Sequence, residues 1–267
     1  MKSITKKIKR LMRSSLLNQG VYLDRSTDNI KLNQFLTAVK PVRTNHELIR
    51  MGGDGDGGYL VPNDLEGIDV CFSPGVSEIA NFELDLTKRN IKCFLADYSV
   101  DAPPIKNALF DFEKKFLGAT EDNIFMTLEN WVNRKAPDQA DLLLQMDIEG
   151  AEYAVIFDTP RATLKRFRIL VIEFHGLEAL CSKSGFEHLN LCFMKLLKDF
   201  DVVHIHPNNC FPPVIYGEFS IPPVLEFTFL RKDRISERQL CSTFPNQQDR
   251  TTAINEEDYI LPRCWYA

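Results

Sequence analysis

Asp141-Leu-Leu-Leu-Gln-Met-Asp-Ile-Glu-Gly-Ala-Glu152 is the stretch that decides the fold. Residues 141–147 are nearly all apolar until a carboxylate ends them, as in a strand covered on both faces. Gly150 allows a tight turn, and Glu149 and Glu152 are expected to enter the following helix near its positive N-terminal end. For both glutamates, and for Glu152 above all, simple capping of that helix competes with any chemical role. Asp147 differs, because a carboxylate that ends a buried strand needs partners or a ligand.

The same pattern extends outward in both directions. Arg168-Ile-Leu-Val-Ile-Glu-Phe174 is a second apolar strand with an acid near its end. Strands are predicted over 68–72, 91–96, 123–127, 141–147, 168–174, 201–206 and 224–230. Helices are predicted over 78–89, 104–116, 150–157, 161–166 and 186–199. Alternating strands and helices are the signature of α/β architecture with a parallel sheet. The Pro-rich segment 207–223 offers no crossover helix, so the last strand is expected to be antiparallel. Residues 1–46 read as a basic N-terminal helical extension, 47–231 as the main domain and 232–267 as a C-terminal extension.

In open α/β sheets, ligands bind beyond the carboxyl ends of the strands. Ile68-Asp-Val-Cys-Phe72 runs into Ser73-Pro-Gly-Val-Ser77 and a helix start, and the next strand ends at Asp97, 22 residues beyond Gly75. Nucleotide-binding βαβ units hold an acid for ribose hydroxyls at about that place. The pair points to an adenosine-bearing cofactor, although an ordinary βα turn explains the glycine alone. Glu173 and His175 share one side of their strand, as do His204 and His206 of the next. Acids and imidazoles thus converge on neighbouring strand ends. They suit either proton transfer from a hydroxyl or a divalent ion held by Asp147, Glu173, His175 and His206, with Zn, Mn or Fe favoured over Ca by mixed N/O ligands. Arg50-Met-Gly-Gly-Asp-Gly-Asp-Gly-Gly-Tyr59 is neither a P-loop nor an EF-hand loop. It reads equally as a glycine-rich hairpin turn or as a flap that turns Asp56 and Tyr59 toward the cofactor.

Asp147-Ile-Glu-Gly-Ala-Glu152 after its apolar strand, with Asp56-Gly-Gly-Tyr59, Phe72-Ser-Pro-Gly-Val-Ser-Glu78 and His204-Ile-His-Pro-Asn-Asn209, resembles the FkbM-type S-adenosylmethionine-dependent methyltransferases over about residues 47–231. The resemblance implies a Rossmann-like class I methyltransferase fold. Its seven-stranded, mostly parallel sheet has the order 3-2-1-4-5-7-6, strand seven antiparallel and helices on both faces. It also implies O-methylation of a hydroxyl on a sugar, glycan or related polyhydroxylated small molecule. By position, Ser73 and Gly75 would face the methionine part of the cofactor, Asp97 the ribose, and Asp147 the transferred methyl. Asp147 and His175 are the catalytic candidates, as base or metal ligands. The chain departs from the commoner family pattern at Ser73-Pro74-Gly75, where an acid and further glycines are usual. That departure motivates one alternative, a non-catalytic methyltransferase-like binding or scaffold module. An NAD-dependent oxidoreductase is another, without a recognisable pyrophosphate fingerprint.

Composition bounds the remaining classes. A net charge of −5 over 267 residues provides no basic field for a phosphate backbone, which disfavours nucleic acid as a partner. No apolar run approaches the about 20 residues of a membrane span. Seven dispersed cysteines with no C-x-x-C pair fit reduced thiols in a cytoplasmic protein better than disulfides or a thiolate zinc site. Residues 1–23 carry six Lys and Arg and no acid, with Ile4, Ile8, Leu11, Met12 and Leu16 at helical spacing. This basic stripe is compatible with peripheral membrane contact, with docking on the domain or a second copy, with a frayed tail, or with a mitochondrial presequence.

Overall fold

The computed structural model describes residues 13–253 and 255–267. Most of the basic stripe expected over residues 1–23 therefore lies outside the described residues. Residues 13–18 are helical, and Leu17, Val21, Tyr22 and Leu23 are exposed.

Seven strands form the central sheet: β1 (Ile68–Pro74), β2 (Lys92–Ala96), β3 (Phe110–Glu113), β4 (Asp141–Met146), β5 (Phe167–Phe174), β6 (Phe200–Pro207) and β7 (Leu225–Arg231). Their spatial order is β6-β7-β5-β4-β1-β2-β3, the arrangement expected from the resemblance. Strand β7 runs antiparallel to both β5 and β6, and the other neighbours are parallel. Short strands at Leu48–Met51 and Tyr59–Pro62 form a hairpin outside this sheet.

Two local expectations are corrected. The third strand of the sheet is 110–113, within the stretch predicted as a helix over 104–116. Phe110-Asp-Phe-Glu113 alternates apolar and acidic residues with the period of a strand, and Lys92 and Lys135 bind Asp111 from both sides. The strand predicted at 123–127 is confined to 125–127 and pairs in parallel with 116–118, outside the main sheet. The helices are α1 (Asn29–Ala38), α2 (Asn81–Thr87), α3 (Leu128–Lys135), α4 (Glu152–Asp158), α5 (Arg161–Leu164) and α6 (Lys183–Leu196). Helix α3 was not anticipated. Thr127 caps it by accepting from the Asn130 N–H, and Arg134 and Lys135 complement its C-terminal dipole.

The strands are apolar on both faces because each face is covered. On one side, Phe72, Phe174 and Phe227 pack with Trp131 of α3 and Phe193 of α6, joined by Phe35 of α1 and the C-terminal Trp265. On the other, Cys71, Cys93, Leu143 and Val171 pack under Tyr59, Val61 and Phe82. Both chain ends outside 47–231 thus contribute buried aromatic rings. All seven cysteines are free thiols.

The two rims of the sheet differ in charge. At the N-terminal rim, Asp141 meets Arg168 at 2.6 Å and Arg231 at 2.8 Å, so opposite charges neutralise one another. At the C-terminal rim, acids gather with far fewer cations.

Candidate active site

A cavity of about 700 Å³ opens at the carboxyl ends of β1, β2 and β4. Its size suits a nucleoside-bearing ligand. Asp56, Tyr59, Gly75, Asp97 and Asp147 all line it. The first turn after β1 bends at Gly75, where φ is +91°, and Ser77 is also left-handed at +37°. Asp97 holds that turn in place: Oδ2 accepts from the Ser77 N–H at 2.9 Å, and Oδ1 accepts from the Ser99 N–H and hydroxyl. The hairpin supplies both features expected of residues 50–59, a glycine-rich turn and side chains facing the cavity.

Ser73 stands behind the cavity rather than in its wall. Its fully buried hydroxyl lies 2.5 Å from Glu83 Oε1 and 2.8 Å from Gln145 Oε1, and the Gln145 amide donates to the Tyr59 hydroxyl at 3.2 Å. A single hydroxyl proton cannot serve both oxygens. Burial pushes the Glu83 carboxyl upward, which allows it to supply the second proton. Glu83 and Gln145 both line the cavity and were not anticipated. Gln145 did leave a signal, as the one uncharged polar residue between Leu144 and Met146.

Phe116, Leu117 and Phe125, from the short parallel pair, make an apolar wall. They too escaped sequence reading, because their place depends on a strand pair with no periodic pattern of its own.

The strand-end acids surround one imidazole. His175 Nδ1 lies 3.1 Å from Glu152 Oε1. Its Nε2 lies 3.5 Å from Glu149, 3.6 Å from Glu173 and 3.9 Å from Asp147. Glu152 is fully buried and also accepts from the Ile148 and Gly150 N–H groups at 3.3 and 3.0 Å, so it braces the turn before α4. Glu149 does not enter the helix. It sits in the turn with φ +55°, and Gly150 follows at +101°.

Asp147 Oδ1 is buried with no hydrogen-bond partner among the described residues. Burial pushes its carboxyl up to about 7, against the pull of His175 and with help from Glu149 and Glu152. Burial opposes the imidazolium of His175, but its hydrogen bond to Glu152 and the nearby carboxylates push it up to about 9. At neutral pH His175 is therefore a cation bound by acids. Glu173 and Glu226 face each other directly across β5 and β7, and burial pushes both upward, Glu226 to about 8.

His206 does not join this group. Glu173 pairs with Glu226, and Glu226 with His206, so His206 lies two strands from Glu173, a backbone separation of about 10 Å. Its neighbours are His204 and Asp249. The four-residue metal set expected from the sequence divides accordingly: Asp147, Glu149 and His175 present ligand atoms within 4.8 Å of one another, and His204, His206 and Asp249 do so separately.

Residues 125–195 match the family model described as the Methyltransferase FkbM domain. The match includes the 147–152 turn, Glu173 and His175. No curated protein matches the chain. Solved structures similar to it include one described as a fibrillarin/Nop5p complex, at 11% identity and a TM-score of 0.37, covering 62% of this chain and 74% of that one. Another is described as the 23S rRNA methyltransferase ErmE, at 9% identity and a TM-score of 0.35, covering 78% of this chain and 69% of that one.

Proposed function

We propose that this chain is an FkbM-type methyltransferase that transfers the methyl group of S-adenosylmethionine to a hydroxyl of a sugar, glycan or related polyhydroxylated small molecule. Asp147 Oδ1 is the observation that carries this reading. A buried carboxylate oxygen without a partner is costly unless a ligand engages it. It lies where the cavity meets the acidic group around His175.

When bound, S-adenosylmethionine supplies an electrophilic methyl group on a positively charged sulfur. The residues of the cavity fit such a group: carboxylates for the cationic end, the Asp97-held turn for the polar middle, and Phe116, Leu117 and Phe125 for a flat base. The walls exclude water and hold the reacting oxygen in line. With its carboxyl pushed up to about 7, Asp147 is matched to accept the hydroxyl proton near neutral pH. His175, bound as an imidazolium by Glu152, orients the acceptor by donating to one of its oxygens.

The close packing of Asp147, Glu149 and His175 favours a second reading of the same step. These residues would hold a divalent ion, whose contribution is to lower the pKa of the acceptor hydroxyl.

Calorimetric titration with S-adenosylhomocysteine, followed by transfer of labelled methyl to a panel of mono- and oligosaccharides, tests the proposal. Binding and transfer are expected in the wild type, and binding without transfer in Asp147→Asn. Folded protein that gives no heat at about millimolar ligand, a ceiling of about −4 kcal/mol in affinity, would end it. Binding without transfer to any hydroxyl in the wild type would leave the non-catalytic module instead.

A further inference from the structure

A second group of polar side chains takes no part in the cavity. His204 and His206 project from β6, an edge strand of the sheet, onto the face covered by the 48–62 hairpin. Asp249 reaches them from the C-terminal segment. His204 Nε2 stands 2.9 Å and His206 Nδ1 3.8 Å from Asp249 Oδ1. His204 is 3% and His206 8% exposed, and the Asp249 side chain 7%. His204 Nε2 and Asp249 Oδ1 approach each other without hydrogen-bond alignment, and both ring nitrogens of His206 have no hydrogen-bond partner at all among the described residues. Asp249 Oδ2 accepts from the Asn246 N–H at 2.7 Å, which fixes the carboxylate and leaves Oδ1 facing the imidazoles.

Folded proteins rarely bury several unpartnered polar atoms in one place without something to satisfy them. The geometry points to a zinc-class divalent metal site formed by His204, His206 and Asp249, which clasps the C-terminal segment onto the edge strand. Two imidazoles and a carboxylate are a ligand set for Zn²⁺ and its transition-metal neighbours rather than for Ca²⁺ or Mg²⁺. With metal–ligand bonds of about 2.0–2.2 Å, tetrahedral coordination sets ligand atoms about 3.3 Å apart. The separations of 2.9 and 3.8 Å bracket that value. Oδ2, bonded to the Asn246 N–H, supplies the outer support that orients a ligating carboxylate.

A cleft of about 170 Å³, lined by His206, Phe244, Asp249 and Tyr259, gives the ion a path from solvent and leaves room for water as a fourth ligand. The site has a structural consequence. Strand β6 has one unpaired edge within the sheet, and such edges need covering. The strand at Val42–Thr44 runs beside that edge, and the segment that carries Asp249 lies over the face of β6, with the Phe244 ring stacked on His204 at 5.7 Å. An ion shared between β6 and Asp249 ties that segment down.

The full chain, stripped with a chelator, is titrated with Zn²⁺ against a chromogenic competitor, and Co²⁺ is used to read the coordination. At least one equivalent of Zn²⁺ that survives His175→Ala is expected to bind, and Co²⁺ should show visible bands of a four-coordinate centre with nitrogen ligands. His206→Ala and Asp249→Asn should each weaken binding at least about tenfold, and His175→Ala should leave it unchanged. Limited proteolysis of the wild type, with and without Zn²⁺, needs no substitution: Zn²⁺ should slow cleavage between residues 241 and 258. Folded wild type that binds no Zn²⁺, or an equivalent lost in His175→Ala and kept in His206→Ala, would overturn the assignment.

Discussion

A Cβ on Gly75 would lie 1.5 Å from the carbonyl oxygen of Asp147. The close approach that demands glycine here is therefore made by the chain's own backbone, where the turns after β1 and β4 cross. The φ of +91° adds to the demand. The glycine serves the site indirectly, by letting Asp147 sit beside the cavity.

Gly75→Ala is thus expected to cost about 3 kcal/mol or more, from backbone strain and the displaced Asp147 together. Urea denaturation measures the loss, and S-adenosylhomocysteine titration measures the damage to the site. A variant as stable as the wild type would show that the crossing is looser than described.

Asp147→Asn is expected to lower the rate of methyl transfer about 10²- to 10⁴-fold, the range of a lost proton acceptor. In the wild type kcat/KM should rise as pH passes about 7, since Asp147 must be ionised to accept the proton. S-adenosylmethionine should bind more tightly over the same range, because ionisation of Asp147 favours a cation. Its neutral thioether product should show no such rise. Equal pH dependence for both ligands would remove Asp147 from the cationic centre.

His175 links the site to stability. Its folded pKa of about 9 stands above the ordinary 6.5, so the stabilisation from its proton is complete below about pH 6.5 and lost as pH rises through 9. Asp147, pushed up to about 7 from 3.8, acts in the same direction at lower pH, favouring the folded state while protonated. Urea midpoints should therefore fall from about pH 6 to about pH 9, and less steeply in His175→Gln. A variant with the wild-type slope would place the responsible proton elsewhere.

Phe125→Ala should weaken S-adenosylhomocysteine by about 1–3 kcal/mol, the usual worth of one base stacked on an aromatic ring. The ring lines the cavity and is only partly buried, so the fold should survive. Calorimetry with adenosine alone isolates the effect; an unchanged affinity would move the base to another wall.

Trp265→Ala should destabilise the protein by about 3–5 kcal/mol, as for any fully buried large aromatic. Trp265 is shut from solvent, packs against Phe35 and Phe227, and donates its indole N–H to the Ser220 carbonyl. Thermal melting decides the matter, and a negligible shift would mean that the C-terminal turn is dispensable to the core.

The sequence by itself determined the α/β class and the side on which the acids lie, while the strand order was expected only from the family resemblance. Apolar runs such as Leu142–Leu144 and Ile169–Ile172 admit only strands covered on both faces, and connection chemistry fixes where each strand ends. Asp97, Asp147, Glu173 and His175 were legible for that reason, since a strand carries its last residues to a known rim. The helix predicted over 104–116 failed because period-2 alternation over four residues is too short to register, and its strand is fixed by lysines remote in the chain. Tertiary structure decided the rest. Periodicity puts His204 and His206 on one face of a strand, but only the crossing of distant segments sets which acid they meet. Two strand spacings separate His206 from Glu173, and Asp249 arrives from a segment with no pattern of its own. Protonation was likewise settled in three dimensions, because burial is outweighed by the hydrogen bond to Glu152 and the charge of the nearby carboxylates, which turn His175 from a base into a cation.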